Sequence, residues 1–141
     1  MGRREARVRL FATMKRRHYS SPYQASRAYS PMVVTEGGRT IRLAGIIAPE
    51  DENGRSLAND FDGQVRCIFQ RMAKLLAEAD ASLADVVSMI VFITDVRTNT
   101  RMVELRKEFF GGDYPVSTLV TVAALNRPEC MVEITATAIA E

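Results

Sequence analysis

The residues Val132-Glu133-Ile134 place a carboxylate between branched apolar neighbours, and Glu133 is the side chain in this sequence best placed to do chemistry. A strand sends alternate side chains to opposite faces. Glu133 therefore shares a face with Thr135 and Thr137, while Val132, Ile134, Ala136 and Ala138 share the other. A carboxylate so placed can act as a general acid or base that positions water. It can equally close a salt bridge or hold two copies of the chain together. The sequence leaves both roles open.

Other chemistries are narrower. His18 is the only histidine, so neither a Ser-His-Asp nor a Cys-His nucleophile has an evident base, and a histidine-based metal site fails on count. Cys67 and Cys130 are isolated and form no C-x-x-C pair. They read as reduced, buried thiols of a cytoplasmic protein, and no metal or cofactor is expected. Gly37-Gly38 and Gly111-Gly112 are lone pairs, read as a turn and a helix stop rather than a phosphate loop. The strands lack interleaved basic and aromatic residues, so nucleic acid is not an expected partner.

The 141 residues, 47% hydrophobic and 26% charged, suit one domain with a real core. The net charge of +2 hides an asymmetry. Residues 1–17 hold Arg3, Arg4, Arg7, Arg9, Lys15, Arg16 and Arg17 against Glu5, so the remainder is acidic. Residues 1–13 read as a disordered basic tail before a single domain over 14–141. Three origins suit the tail: a remnant of an upstream start with Met14 as the natural beginning, a transit-like segment, or a basic arm for acidic partners. No secretory signal fits, and no apolar run is long enough to cross a membrane.

The elements that must position Glu133 follow from periodicity. Met32–Thr35 and Thr40–Ala44 read as strands of a hairpin turned by Glu36-Gly37-Gly38-Arg39. Residues 49–54 read as a loop. Phe61, Val65, Ile68, Phe69, Met72, Leu75, Leu76 and Ala79 fall on one face of a helix that Asn59 or Asp60 caps. Val86–Ile93, nearly unbroken apolar, reads as a central strand. Asn99 or Thr98 caps a second helix carrying Met102, Val103, Leu105, Phe109 and Phe110, and Gly111-Gly112 ends it. Pro115 then starts an extended run through Ser117 and Leu119, and Asn126-Arg127-Pro128 breaks it before the last strand. The order is β-β-α-β-α-β-β, an α+β mixed sheet with both helices on one face. The polar yet barely charged strand face at Ser117–Ala123 and Met131–Ile139 suits an interface.

Several of these segments together resemble the Rid family of reactive intermediate deaminases, also called YjgF-like. The carriers are Leu43-Ala44-Gly45, the long helix, Ala81–Val87, Val91-Phe92-Ile93-Thr94-Asp95, Phe109-Phe110, Tyr114-Pro115 and Val132-Glu133-Ile134. The resemblance spans Tyr19 to Ala140. It implies a chorismate-mutase-like fold, a homotrimer, and a cofactor-free hydrolase or deaminase of imines and enamines at a cleft between subunits. By the same resemblance Glu133 matches the glutamate that positions water, and Tyr29, Ala44, Gly45, Val103, Ser117 and Leu119 line the substrate site. Ser117 stands where the deaminating members carry an arginine that clamps the substrate carboxylate. Ala44-Gly45-Ile46 replaces Ser-Gly-Gln, Val103 an asparagine and Leu119 a cysteine. The resemblance therefore implies a less acidic C–N substrate, unless Arg27, Arg42 or Arg127 of a neighbouring subunit supplies a cation. The alternatives are a non-catalytic ligand-binding or chaperone-like trimer and, third, a nuclease.

Overall fold

The computed structural model describes residues 13–141, and the basic-tail expectation for residues 1–12 falls outside them. The chain runs β1 (Lys15–Tyr19), α1 (Pro22–Ser26), β2 (Met32–Glu36), β3 (Arg39–Ile46), α2 (Phe61–Glu78), β4 (Val86–Ile93), α3 (Asn99–Phe109), β5 (Val116–Thr121) and β6 (Val132–Ala140). Four strands form a mixed sheet in the order β3-β6-β4-β5. β6 pairs antiparallel with both β3 and β4, and β5 lies parallel to β4. The β4–β5 pair is parallel because α3 carries the chain back between them.

Residues opposite each other across a ladder share a face, which divides the sheet cleanly. Met89, Val91, Ile93, Val132, Ile134, Ala136 and Ala138 are buried in one core with Phe61, Val65, Ile68, Phe69, Met72 and Leu76 of α2 and Met102 and Leu105 of α3. Burying each of the valine, isoleucine, leucine, methionine and phenylalanine side chains stabilises by roughly 1.5–3 kcal/mol. Phe69 also packs on Phe109 and Phe110, with ring centroids 5.0 and 5.5 Å apart. That contact pins the end of α3 and so fixes where β5 begins. The opposite face, with Ile90, Phe92, Val120, Glu133, Thr135 and Thr137, is turned away from α2 and α3, and Ile90 and Val120 are 39% and 40% exposed.

The α2 stripe forms as expected except at Leu75, which is 45% exposed because it lies at the edge of the core-facing arc. Asp60 caps α2, accepting from the Gly63 N–H at 2.9 Å. Thr98 stands at the start of α3, but its hydroxyl donates to the Asp95 carbonyl at 2.7 Å and caps nothing. A short 3-10 turn over Val96–Thr98 feeds directly into α3, so the capping carboxylate is Asp95 upstream, which accepts from the Arg97 N–H.

One N-terminal expectation is corrected. β2 does not pair with β3; it pairs with β1 in a separate two-stranded ribbon, and the turn at Gly37 and Gly38 (φ 70° and 80°) carries the chain from that ribbon into β3 of the four-stranded sheet. Lys15-Arg16-Arg17-His18 is therefore part of a strand that periodicity did not signal. Arg16 explains why: its guanidinium donates to the carbonyls of Ala84 and Ile139 and to Asp85 at 2.7–3.1 Å. His18 is likewise fixed, its Nδ1 3.0 Å from the Tyr114 carbonyl oxygen.

Candidate functional site

Ser117 and Leu119 sit on the helix-facing side of β5, opposite buried Met89 and Val91 of β4. α3 crosses this edge strand and presents Asn99, Val103 and Arg106 to it. The segment between α1 and β2 closes the third side. Ser30 ties it to the entrance of β5, its Oγ donating to the Tyr114 carbonyl at 2.5 Å and its N–H to the Pro115 carbonyl at 3.0 Å. Ala28, fully buried with φ 58°, takes the left-handed turn that brings Arg27 and Tyr29 alongside. A non-glycine residue held there costs about 1–3 kcal/mol, so packing must enforce it. The result is a cleft of about 210 Å³ that brings together Tyr29, Val103, Ser117 and Leu119, four of the site residues expected from sequence.

The cleft also holds a residue that the sequence reading missed. Arg106 is 4% exposed. Its Nη1 donates to Ser117 Oγ at 2.7 Å and its Nη2 to the Arg27 carbonyl at 3.2 Å. Its Nε is buried without an acceptor among the described residues. Burial, reinforced by the nearby Arg27 charge, pulls this guanidinium down from its ordinary range to about 10. Among the described residues no carboxylate lines the cleft. The signal in the sequence was spacing: Arg106 follows Val103 by three and Met102 by four residues, so it lies on the apolar face of α3. Arg127 pairs with Glu50 and Glu129 on the surface of its own chain.

Glu133 is elsewhere. It pairs with Phe92 and so points from the open face of the sheet, the side opposite Ser117. Strand spacing and a three-residue offset put the two α-carbons about 14 Å apart. Glu133 is half-buried over β3, where the pairing is irregular between Leu43 and Ile46. A Cβ on Gly45 would stand 2.0 Å from Glu133 Oε1, so the carboxylate occupies the space that only glycine leaves free. Ala44 and Gly45 are exposed beside it. The expected site is thus split into two groups: Tyr29, Val103, Ser117 and Leu119 at the β5 edge, and Ala44, Gly45 and Glu133 near the β3 edge.

Among the described residues no group of three or more His, Cys, Asp or Glu side chains is arranged to hold a metal, and no helix is long and apolar enough to cross a membrane.

Comparison with known proteins places this architecture among relatives. The pattern of the family described as Endoribonuclease L-PSP matches residues 19–140. A RutC family protein of Pyrococcus abyssi is 32% identical over 104 residues, 74% of this chain and 81% of its own length. A Yersinia pestis protein of the Rid family, YyfB, whose function is unknown, superposes with a TM-score of 0.77 at 25% identity, covering 88% of this chain and 98% of its own. Rv2704 of Mycobacterium tuberculosis, a member of the YjgF/YER057c/UK114 family, gives 0.63 at 31% identity, with 89% and 99% covered.

Proposed function

Because the chain belongs to the Endoribonuclease L-PSP family, the Rid and YjgF-like proteins, we propose that it is a cofactor-independent hydrolase of a small imine or enamine. The observation that carries this reading is the split site. One edge of the sheet offers a lined cleft with hydrogen-bond donors. The other offers a carboxylate over a glycine, open to the uncovered face. The two groups meet when the open face of one copy packs against the β5 edge of another. The half-exposed Ile90, Phe92 and Val120 give that face apolar area to bury, and a closed trimer satisfies every copy equally.

In the assembled site the cleft holds the substrate while Glu133 of the neighbouring copy takes a proton from water. The water oxygen attacks the C=N carbon, and Glu133 passes that proton to the nitrogen, giving a carbinolamine. Glu133 then takes the hydroxyl proton and delivers it to the amino nitrogen as the C–N bond breaks, leaving a carbonyl compound and ammonia. An enamine enters the same route after protonation at carbon.

A second reading, a non-catalytic ligand-binding trimer, draws on the fact that Glu133 does not line the cleft of its own chain. Ribonuclease chemistry has less support, because the only histidine is held by the Tyr114 carbonyl outside the cleft. The deciding experiment generates 2-iminopropionate with an amino-acid oxidase and follows ammonia and keto-acid release, with semicarbazide as the competing trap. Hydrolysis by wild type that disappears in Glu133→Gln supports the hydrolase. Equal turnover by the two proteins, or none by wild type across a panel of imines, removes it.

A further inference from the structure

We infer that Arg106, seated by Ser117, is the anion-recognising residue of this cleft and that its ligand is a small carboxylate; the inference rests on the cleft being the substrate site. A buried guanidinium without a carboxylate partner is costly, and the usual resolution inside a protein is an ion pair. Among the described residues none faces Arg106. Arg106 finds two acceptors, a hydroxyl and a backbone carbonyl, both neutral. Arg27, the other cation on the lining, adds repulsion rather than relief. The positive charge is left for something that enters from outside.

The geometry suits a carboxylate. Ser117 accepts from Nη1, which fixes the plane of the guanidinium and leaves the serine O–H free to donate. A planar carboxylate can take N–H bonds from Arg106 and the O–H of Ser117 together. Its volume, about 210 Å³, lies below the roughly 300–1,000 Å³ of pockets that take drug-sized ligands. Val103, 7% exposed, and half-buried Leu119 supply apolar wall for a short carbon chain. The strand position of Ser117 and the helix position of Arg106 thus act as one unit. Ser117 is a positioning residue, and the charge comes from α3.

The test reads binding, independently of turnover. Thermal shift and calorimetry would be run with 2-oxobutanoate and with its neutral amide. Wild type should bind the acid and not the amide. Binding is read without turnover, whereas the hydrolase reading is tested by the turnover of Glu133→Gln, so a failure of that reading leaves this result intact. Arg106→Gln should weaken binding by about 10- to 150-fold, the worth of one charged hydrogen bond. Ser117→Ala should raise the KM or Kd for the acid with little change in melting temperature, and Ser117→Thr should restore it. The exchange variant Arg106→Ser with Ser117→Arg should bind better than Arg106→Gln, because it returns a cation to the cleft. Equal binding of acid and amide by wild type, or undiminished acid binding by folded Arg106→Gln, overturns the inference. So does a folded exchange variant no better than Arg106→Gln.

Discussion

Arg106 Nη1 lies 2.7 Å from Ser117 Oγ, so the serine on β5 is engaged by a guanidinium from α3. Arg106 stands eleven residues upstream on a different element, and with Arg27 it makes the lining of the cleft cationic. The proposed carboxylate ligand rests on that pairing rather than on Ser117 alone.

Ser117→Arg should therefore harm the protein. A second guanidinium at this position would crowd the first. Two unit charges about 4 Å apart at an effective dielectric near 20 repel by about 4 kcal/mol, a bound that solvent and side-chain movement reduce. We expect a loss of at least about 1 kcal/mol in denaturant unfolding and weaker binding of small carboxylates than in wild type. A variant as stable as wild type that binds the acid more tightly would show that Arg106 leaves the space free.

Gly45→Ala should mimic Glu133→Gln. The new Cβ would stand 2.0 Å from Glu133 Oε1 and force the carboxylate away, while the exposed backbone at Gly45 needs no special conformation. Circular dichroism and melting temperature should stay near wild type while imine hydrolysis falls at least about 10-fold. Unchanged hydrolysis would mean that this placement of Glu133 is not the working one.

Carboxylate binding should be flat between about pH 6 and 9 and fall above about 10. Arg106 is depressed to about 10 by burial first and by the Arg27 charge second. For a base depressed on folding, the unfolded chain keeps its proton to higher pH than the fold does. The destabilisation from this group is therefore full below about pH 10 and is relieved as pH rises above that toward the ordinary arginine range. Ligand affinity moves the opposite way, since it needs the charged form. Calorimetry across this range on wild type and Arg106→Gln checks both signs, because the variant should show neither change.

Much of the fold was legible where one period ruled a whole element. The α2 stripe, Leu75 apart, and the Met89, Val91 and Ile93 face of β4 bury as their spacing demands, since both pack on the same core. β1 was not legible, because Lys15-Arg16-Arg17 resembles a solvated tail until Arg16 meets Asp85 and the Ile139 carbonyl from far along the chain. The β2–β3 hairpin was misread because two glycines license a turn without requiring its flanks to pair. Within the site, Glu133, Ser117 and Tyr29 stood out by type or resemblance. Arg106 did not, since an arginine on a helix usually faces water, and its burial depends on the Arg27 carbonyl and on Ser117. The separation of Glu133 from Ser117 was hidden in strand order, which periodicity does not specify.

Light scattering at micromolar concentration should give three times 15.7 kDa. Replacing Ile90 with Lys on the open face should break that assembly while leaving the helical core folded. A stable monomer of wild type would leave the two halves of the site apart and would remove the shared-site mechanism.

The most direct measurement mixes two inactive proteins. Arg106→Gln spoils the cleft half of the site and Glu133→Gln spoils the carboxylate half. Unfolded together in equal amounts, refolded and assayed for imine hydrolysis, they should assemble at random. If each site takes its cleft from one copy and its carboxylate from another, about a quarter of the sites receive two intact halves, and about a quarter of wild-type activity returns. If both halves act within one chain, every site carries a lesion, and the mixture stays as inactive as either variant alone.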